Sequence, residues 1–127
     1  MELILRNADA GTKEYQYAPV QVYKNQLEGS NKSIELSLKT HDGKRDAFGA
    51  FVVANFGNDK KQVRHLIANN GAVQSEALIH FGLGDKNSMN EIVISWPGGE
   101  KQLFKDLKPG RHEFLAPTIY KNKVAKQ

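Results

Sequence analysis

Residues 77–104 read ALIHFGLGDKNSMNEIVISWPGGEKQLF, and this stretch sets the strand pattern of the chain. Within it, 92–96 reads Ile-Val-Ile-Ser-Trp, where a bulky apolar residue recurs at every second position, as in a strand with one buried face. Pro-Gly-Gly at 97–99 combines the fixed φ of proline with the positive φ open to glycine, which a tight reversal needs. The stretch therefore predicts a β-meander, with an earlier strand at 78–81.

Short strands with turn signals between them are predicted on both sides of this meander. Apolar residues at 34, 36 and 38 alternate with polar ones, which predicts a half-buried strand. Residues 48–56 are apolar almost throughout, which is typical of a strand covered on both faces. No window of twelve residues carries a helical apolar period. We therefore predict an all-β fold, either a two-layer antiparallel β-sandwich or a partly closed barrel of about eight short strands.

The alternation also predicts which side chains point into the core. The predicted inward residues are Ile34, Leu36, Leu38, Phe51, Val53, Ile92, Ile94 and Leu103.

Composition excludes several kinds of protein. At 127 residues the chain is expected to form one domain, and its 25% charged and 39% hydrophobic residues are ordinary for a globular protein. The absence of cysteine excludes disulfides, thiol catalysis and zinc–thiolate sites. The net charge of +4 is spread out without a basic stripe, so nucleic-acid binding is not expected. No apolar run reaches the length of a membrane span and no signal peptide is visible, so membrane insertion is not expected.

No set of residues predicts catalysis, a metal or a cofactor. The four histidines lie far apart and form no His-x-His or His-x₃-His pair. No loop offers enough carboxylates for calcium, and no pair of acidic residues stands out as an acid and a base. We therefore expect a protein that is not an enzyme and that holds no metal.

Trp96 has two interpretations. A single tryptophan beside a tight turn is usually a core plug whose N–H is bonded to a carbonyl, but an exposed ring can stack on a sugar. The second interpretation predicts a carbohydrate-binding module that uses Trp96 and Tyr17.

Three segments carry a resemblance to a known family. They are GKRDAFGAFV at 43–52, VQSEALIHFGLG at 73–84 and IVISWPGGEKQ at 92–102. Their order and spacing resemble the ASPIC/UnbV domain, which typically shows Asn-Arg-Asp-Gly-Ile-Gly-Ala, Gly-Tyr-x-Ser-Gln, His-Phe-Gly-Leu-Gly and Val-x-Trp-Pro-Ser-Gly. The chain departs from this pattern at Ala47, where glycine is usual, and at 72–75, where Ala-Val-Gln-Ser replaces Gly-Tyr-x-Ser.

The resemblance covers roughly 23–115 and implies a role. That domain follows FG-GAP/VCBS-type β-propeller repeats in exported proteins, which implies an extracellular, cell-surface or periplasmic location and an interaction or packing function. The organisation expected is N-terminal strands at 1–22, resembling the end of a propeller blade, the β domain at 23–116 and a basic tail at 117–127. Arg45 and Asp46, which occupy a family motif, are further candidate ligand-binding residues.

The N-terminal strands are more apolar than a weakly patterned first segment requires. This surplus predicts a surface that docks onto a propeller domain of the same or another chain, or onto a second copy in a homodimer. The predicted interface residues are Leu3, Leu5, Tyr15, Val20 and Val22.

Overall fold

The computed structural model describes residues 3–6, 20–26, 29–69, 71 and 74–118. This part of the chain contains strands and turns but no helix, as the sequence predicts. The described residues therefore include no helical segment that could span a membrane.

Nine strands are present among the described residues. They are β1 (Leu3–Arg6), β2 (Val20–Tyr23), β3 (Lys32–Lys39), β4 (Phe51–Asn55), β5 (Lys61–His65), β6 (Ile79–Gly84), β7 (Met89–Ser95), β8 (Lys101–Leu107) and β9 (Gly110–Leu115).

Seven of these strands form a two-layer sandwich. One layer has the order β6-β3-β9 and the other the order β5-β4-β7-β8, while β1 and β2 pair with each other and, among the described residues, with no other strand. The edge strands β5 and β6 approach one another, and there the Arg64 guanidinium lies 5.7 Å from the centre of the Phe81 ring. No hydrogen-bonded pairing joins the two layers at this edge, so the sheets form the predicted sandwich and not the barrel alternative.

One strand pair departs from the antiparallel prediction. β3 pairs with β6 in the antiparallel sense but with β9 in the parallel sense, from Ile34 opposite Gly110 to Lys39 opposite Leu115. A parallel pair cannot be joined by a tight turn, and here all the intervening strands separate its two members. No local sequence signal marks such a pairing.

The reversal between β7 and β8 forms where the sequence predicts it. The Gly99 N–H donates to the Trp96 carbonyl at 2.9 Å, and the Trp96 N–H donates to the Glu100 carbonyl at 2.9 Å. Pro97 occupies the first central position, and Gly99 has a φ of +98°, which side chains rarely tolerate. This turn sets the register of the long β7–β8 hairpin.

The core lies between the two sheets and agrees with most of the inward predictions. Ile34, Leu36 and Leu38 of β3 are 0% exposed, as are Ile92 and Ile94 of β7. They belong to one apolar cluster with buried residues of β4 and β6. The alternation of β3 and β7 therefore identifies the buried faces correctly.

The inward prediction for β4 is wrong. Val52 and Ala54 are fully buried, whereas Phe51 is 41% exposed and Val53 is half-buried on the opposite face. Because apolar residues occupy both faces of this strand, its sequence does not show which face is covered.

The prediction for Leu103 is also wrong. Leu103 is 53% exposed, and its neighbour Phe104 turns inward instead, with its ring centre 4.3 Å from that of Phe114 on β9. Because Leu103 and Phe104 are both large and apolar, the sequence does not show which of them points inward. The contact between the Phe104 and Phe114 rings across the two sheets places Phe104 inside.

Removal of the Ile94 side chain tests the core assignment. Ile94→Ala should lower the free energy of unfolding by about 2–5 kcal/mol, because it removes buried methylene groups and leaves a cavity. Leu103→Ala on the adjacent strand is the matched control and should cost less than about 1 kcal/mol, since its side chain is largely solvated. Urea unfolding measures both values, and equal costs would contradict the assignment.

Candidate binding site

A pocket of about 330 Å³ opens at one end of the sandwich. Its walls come from the turn after β3, the β7–β8 turn and the segment after β9, including Thr40, His41, Pro97, Glu100 and Pro117. Much of the wall is apolar, and His41 and Glu100 are the ionisable side chains in the described lining. The pocket can therefore accept a small apolar group with a polar end.

Backbone hydrogen bonds to the end of β3 bring two of these walls together. The Ala47 N–H donates to the Leu38 carbonyl at 2.9 Å, and the Ala116 N–H donates to the Lys39 carbonyl at 2.9 Å. Both segments are thereby fixed to one strand, although they are far apart in sequence. The pocket is thus a consequence of the parallel β3–β9 pairing.

Gly49 lies against the third wall in a backbone conformation that favours glycine. Gly49 has a φ of +95°, and a Cβ atom there would lie 3.6 Å from Cγ of Pro97 in the β7–β8 turn. Residues 45–50 and 96–99, which carry two of the sequence motifs, therefore pack against each other at this end of the sandwich.

Trp96 is buried beside the pocket. Its side chain is 3% exposed, and its ring N–H donates to the Gln102 side-chain oxygen at 2.9 Å across the turn. This arrangement matches the core-plug interpretation, with a side-chain amide as the carbonyl partner. The carbohydrate interpretation requires an exposed ring, and Trp96 does not present one.

Arg45 and Asp46 lie in the turn after β3 but not in the described pocket lining. The Asp46 carboxylate is 2.6 Å from the Lys39 ammonium, and both side chains are partly buried. Arg45 is exposed, and its carbonyl accepts the Thr40 N–H at 2.8 Å. Asp46 therefore ties the turn to β3, and only Arg45 presents its side chain to solvent.

Asp42 closes the same turn. Its carboxylate accepts the Thr40 hydroxyl at 2.5 Å and the Lys44 N–H at 3.1 Å. The bond from Thr40 is the main reason that the pKa of Asp42 is lowered, followed by the bond from Lys44 and the nearby charges of His41 and Arg45. The ionised carboxylate is thus the form that holds the turn.

The predicted N-terminal interface falls partly within the described residues. Leu3 and Leu5 lie on β1 and Val20 and Val22 on β2, and the register places Leu3 opposite Tyr23. Val22 is 63% exposed. Tyr15 and Tyr17 lie outside the described residues.

Potential metal ligands do not converge in the part of the chain that the structure describes. There, no group of three histidine, aspartate or glutamate side chains could hold an ion. His112, for example, contacts the Lys108 carbonyl at 2.7 Å through Nε2. The predicted absence of a metal remains a prediction.

Sequence reasoning missed the pocket because its walls come from three separated segments. Trp96 is the one residue of the described pocket lining that the sequence marks as a binding candidate. Pro97 and Pro117 each follow a strand, and this is the one local signal that could have pointed to the pocket.

Titration of Asp42 tests the geometry of the turn. Its carboxyl should titrate below the ordinary value of 3.8. Because the pKa is lowered on folding, the stabilisation is complete above the unfolded-state pKa and disappears as the pH falls through the folded-state pKa. In a carboxyl-detected NMR titration, Thr40→Val should raise the midpoint, whereas Thr40→Ser, which keeps the hydroxyl, should change it little. An unchanged midpoint in Thr40→Val would show that the bond is not formed.

Comparison with known proteins identifies the family. A search of curated proteins finds no match to the chain. The family model for ASPIC and UnbV matches residues 40–118, which is more than half of the chain. This range contains β4–β9 and the described walls of the pocket. It begins directly after β3, although β3 pairs with two strands inside the range, β6 and β9. The matched range and the three motifs within it place this chain in the ASPIC and UnbV family.

Proposed function

We propose that this chain is a non-catalytic interaction module of an exported protein and that it works by contact through the β1–β2 ribbon. The expected partner is a β-propeller domain of the same or another chain, or a second copy. The partner and the compartment are those that the ASPIC/UnbV resemblance implies.

The observation that carries the proposal is the isolation of the ribbon. Among the described residues, β1 and β2 form a two-stranded sheet of their own, with no hydrogen-bonded pairing to either layer of the sandwich. A two-stranded ribbon is marginally stable alone and is stabilised when another surface packs against it. Val22 supplies an exposed apolar side chain for such packing.

The pocket provides little support for catalysis. Its described ionisable residues, His41 and Glu100, are accompanied by no cysteine, lysine or second carboxylate that would complete a nucleophile–base or acid–base set. A sugar-binding role has weaker support than protein contact, because the Trp96 ring on which it depends is buried.

Charged substitutions in the ribbon test the proposal. The register pairs Val22 with Ile4 and Leu3 with Tyr23, so Val22→Glu and the double variant Leu3→Glu/Leu5→Glu test alternate positions that belong to opposite faces of the ribbon. The variant on the contacting face should weaken binding to a separately produced FG-GAP/VCBS-type propeller domain, or self-association, by about tenfold or more, because a charge would be desolvated in the contact. Calorimetry measures the first interaction and sedimentation velocity the second. Ile67→Glu is the matched control, since Ile67 is also an exposed apolar residue but lies after β5.

Each outcome bears on the proposal. Loss of binding in either ribbon variant, with the thermal midpoint of the sandwich unchanged and the control unaffected, would support it. Binding that withstands both ribbon variants would contradict it, as would an unmodified chain that associates with neither a propeller nor itself.

A further inference from the structure

The outer face of the four-stranded sheet carries an apolar row that crosses every strand. The register places Val53 opposite Val63 on β5 and opposite Val93 on β7, and it places Val93 opposite Leu103 on β8. Directly paired residues point to the same face of a sheet. Four aliphatic side chains therefore lie side by side, spanning about 14 Å at about 4.8 Å per strand.

This row is open to solvent at both ends. Val63 is 58% exposed and Leu103 is 53% exposed, while Val53 and Val93 are half-buried between them. Phe51, paired with His65 and Ser95 in the adjacent row, adds an exposed ring. We call Phe51 and the four aliphatic residues the outer strip. A contiguous apolar patch of this kind is typical of a surface that another surface covers.

The charges around the outer strip are mainly positive. Lys61, Lys101 and Lys105 lie on the same face in the rows on either side, and Glu91 is the one carboxylate that shares these rows. All three lysines are exposed, and the salt bridges found among the described residues include none of them. A complementary surface therefore carries carboxylates around an apolar centre.

Charge and shape argue against two other partners for the outer strip, a second copy of the chain and an anionic membrane. Two copies that met through this face would bring three lysines of each toward the other, against a single glutamate on each side. An anionic membrane would satisfy the lysines, but valines that are half-buried within a sheet cannot enter a bilayer as a protruding loop or helix face can. Sheets instead bury flat apolar faces against a further protein layer about 10 Å away.

We propose that the outer strip is a second docking face and that it binds a protein surface with an apolar centre and an acidic rim. This inference rests on the proposed interaction function and names a face and a partner chemistry distinct from the β1–β2 ribbon.

A designed peptide provides the probe. A disulfide-closed β-hairpin peptide with valine and leucine on one face and glutamate along the rim would be titrated into the ¹⁵N-labelled full chain. We expect shifts at the amides of Val53, Val63, Val93 and Leu103, and weaker binding at higher salt. The same hairpin with lysine in place of glutamate should bind at least about tenfold more weakly.

Matched variants separate the apolar and the charged contributions. Val63→Thr/Leu103→Thr keeps residues that favour strands and should weaken binding of the acidic hairpin by about fivefold. Lys101→Glu/Lys105→Glu should reverse the preference toward the basic hairpin. Lys44→Glu/Lys108→Glu, at two exposed lysines outside the outer strip, changes the net charge by the same amount and should leave the preference unchanged.

Several results would overturn the inference. They are shifts that map to another surface, no difference between the two hairpins, or no binding at millimolar peptide. Broadening of the outer-strip signals by phosphatidylserine vesicles alone, or dilution-dependent shifts without peptide, would show that a membrane or a second copy is the occupant instead. Val22→Glu changes only the ribbon, so the two proposals can fail separately. If Val22→Glu abolishes propeller binding and the unmodified chain does not bind the acidic hairpin, the outer strip is refuted and the proposed function is still supported.

Discussion

The apolar layer shared by β3 and β7 determines the orientation of the other strands of the sandwich. Ile34, Leu36 and Leu38 face Ile92 and Ile94 between the sheets, and all five side chains are fully buried. Once β7 is oriented in this way, the register determines which residues of β4, β5 and β8 point inward, because directly paired residues share a face. The core and the outer strip are therefore two consequences of one packing constraint, because the residues that alternate with the core positions all project from the opposite face.

Sequence alone predicts the fold class because several strands alternate apolar and polar residues. In β3, polar residues separate Ile34, Leu36 and Leu38, so the pattern identifies the apolar face without ambiguity. The strand β4 is apolar on both faces, and β8 places Leu103 next to Phe104, so pattern alone cannot orient either strand. The parallel pairing of β3 with β9 depends on contacts between distant segments, for which no turn residue gives a signal.

The candidate site was less predictable than the fold. The burial of Trp96 follows from its place in the alternation of β7, and its partner Gln102 lies across the predicted turn. The pocket was not predictable, since its walls meet only after β3 and β9 have paired. The outer strip was hidden for another reason. Three of its residues, Phe51, Val53 and Leu103, were expected to lie inside, and apolar residues beyond what the core needs become visible only when the register is known.

The proposed role in protein contact rests on family membership and on two surface features, the exposed Val22 of the ribbon and the outer strip of the four-stranded sheet. Methyl-resolved NMR with a soluble gadolinium complex would measure the orientation of that sheet in the full chain. If the four-stranded sheet is oriented as described, we expect strong broadening of the Val63 and Leu103 methyl signals and sharp signals from Ile34, Ile92 and Ile94. Protection of Val63 and Leu103 equal to that of Ile94 would contradict it, because the outer face would then already be covered.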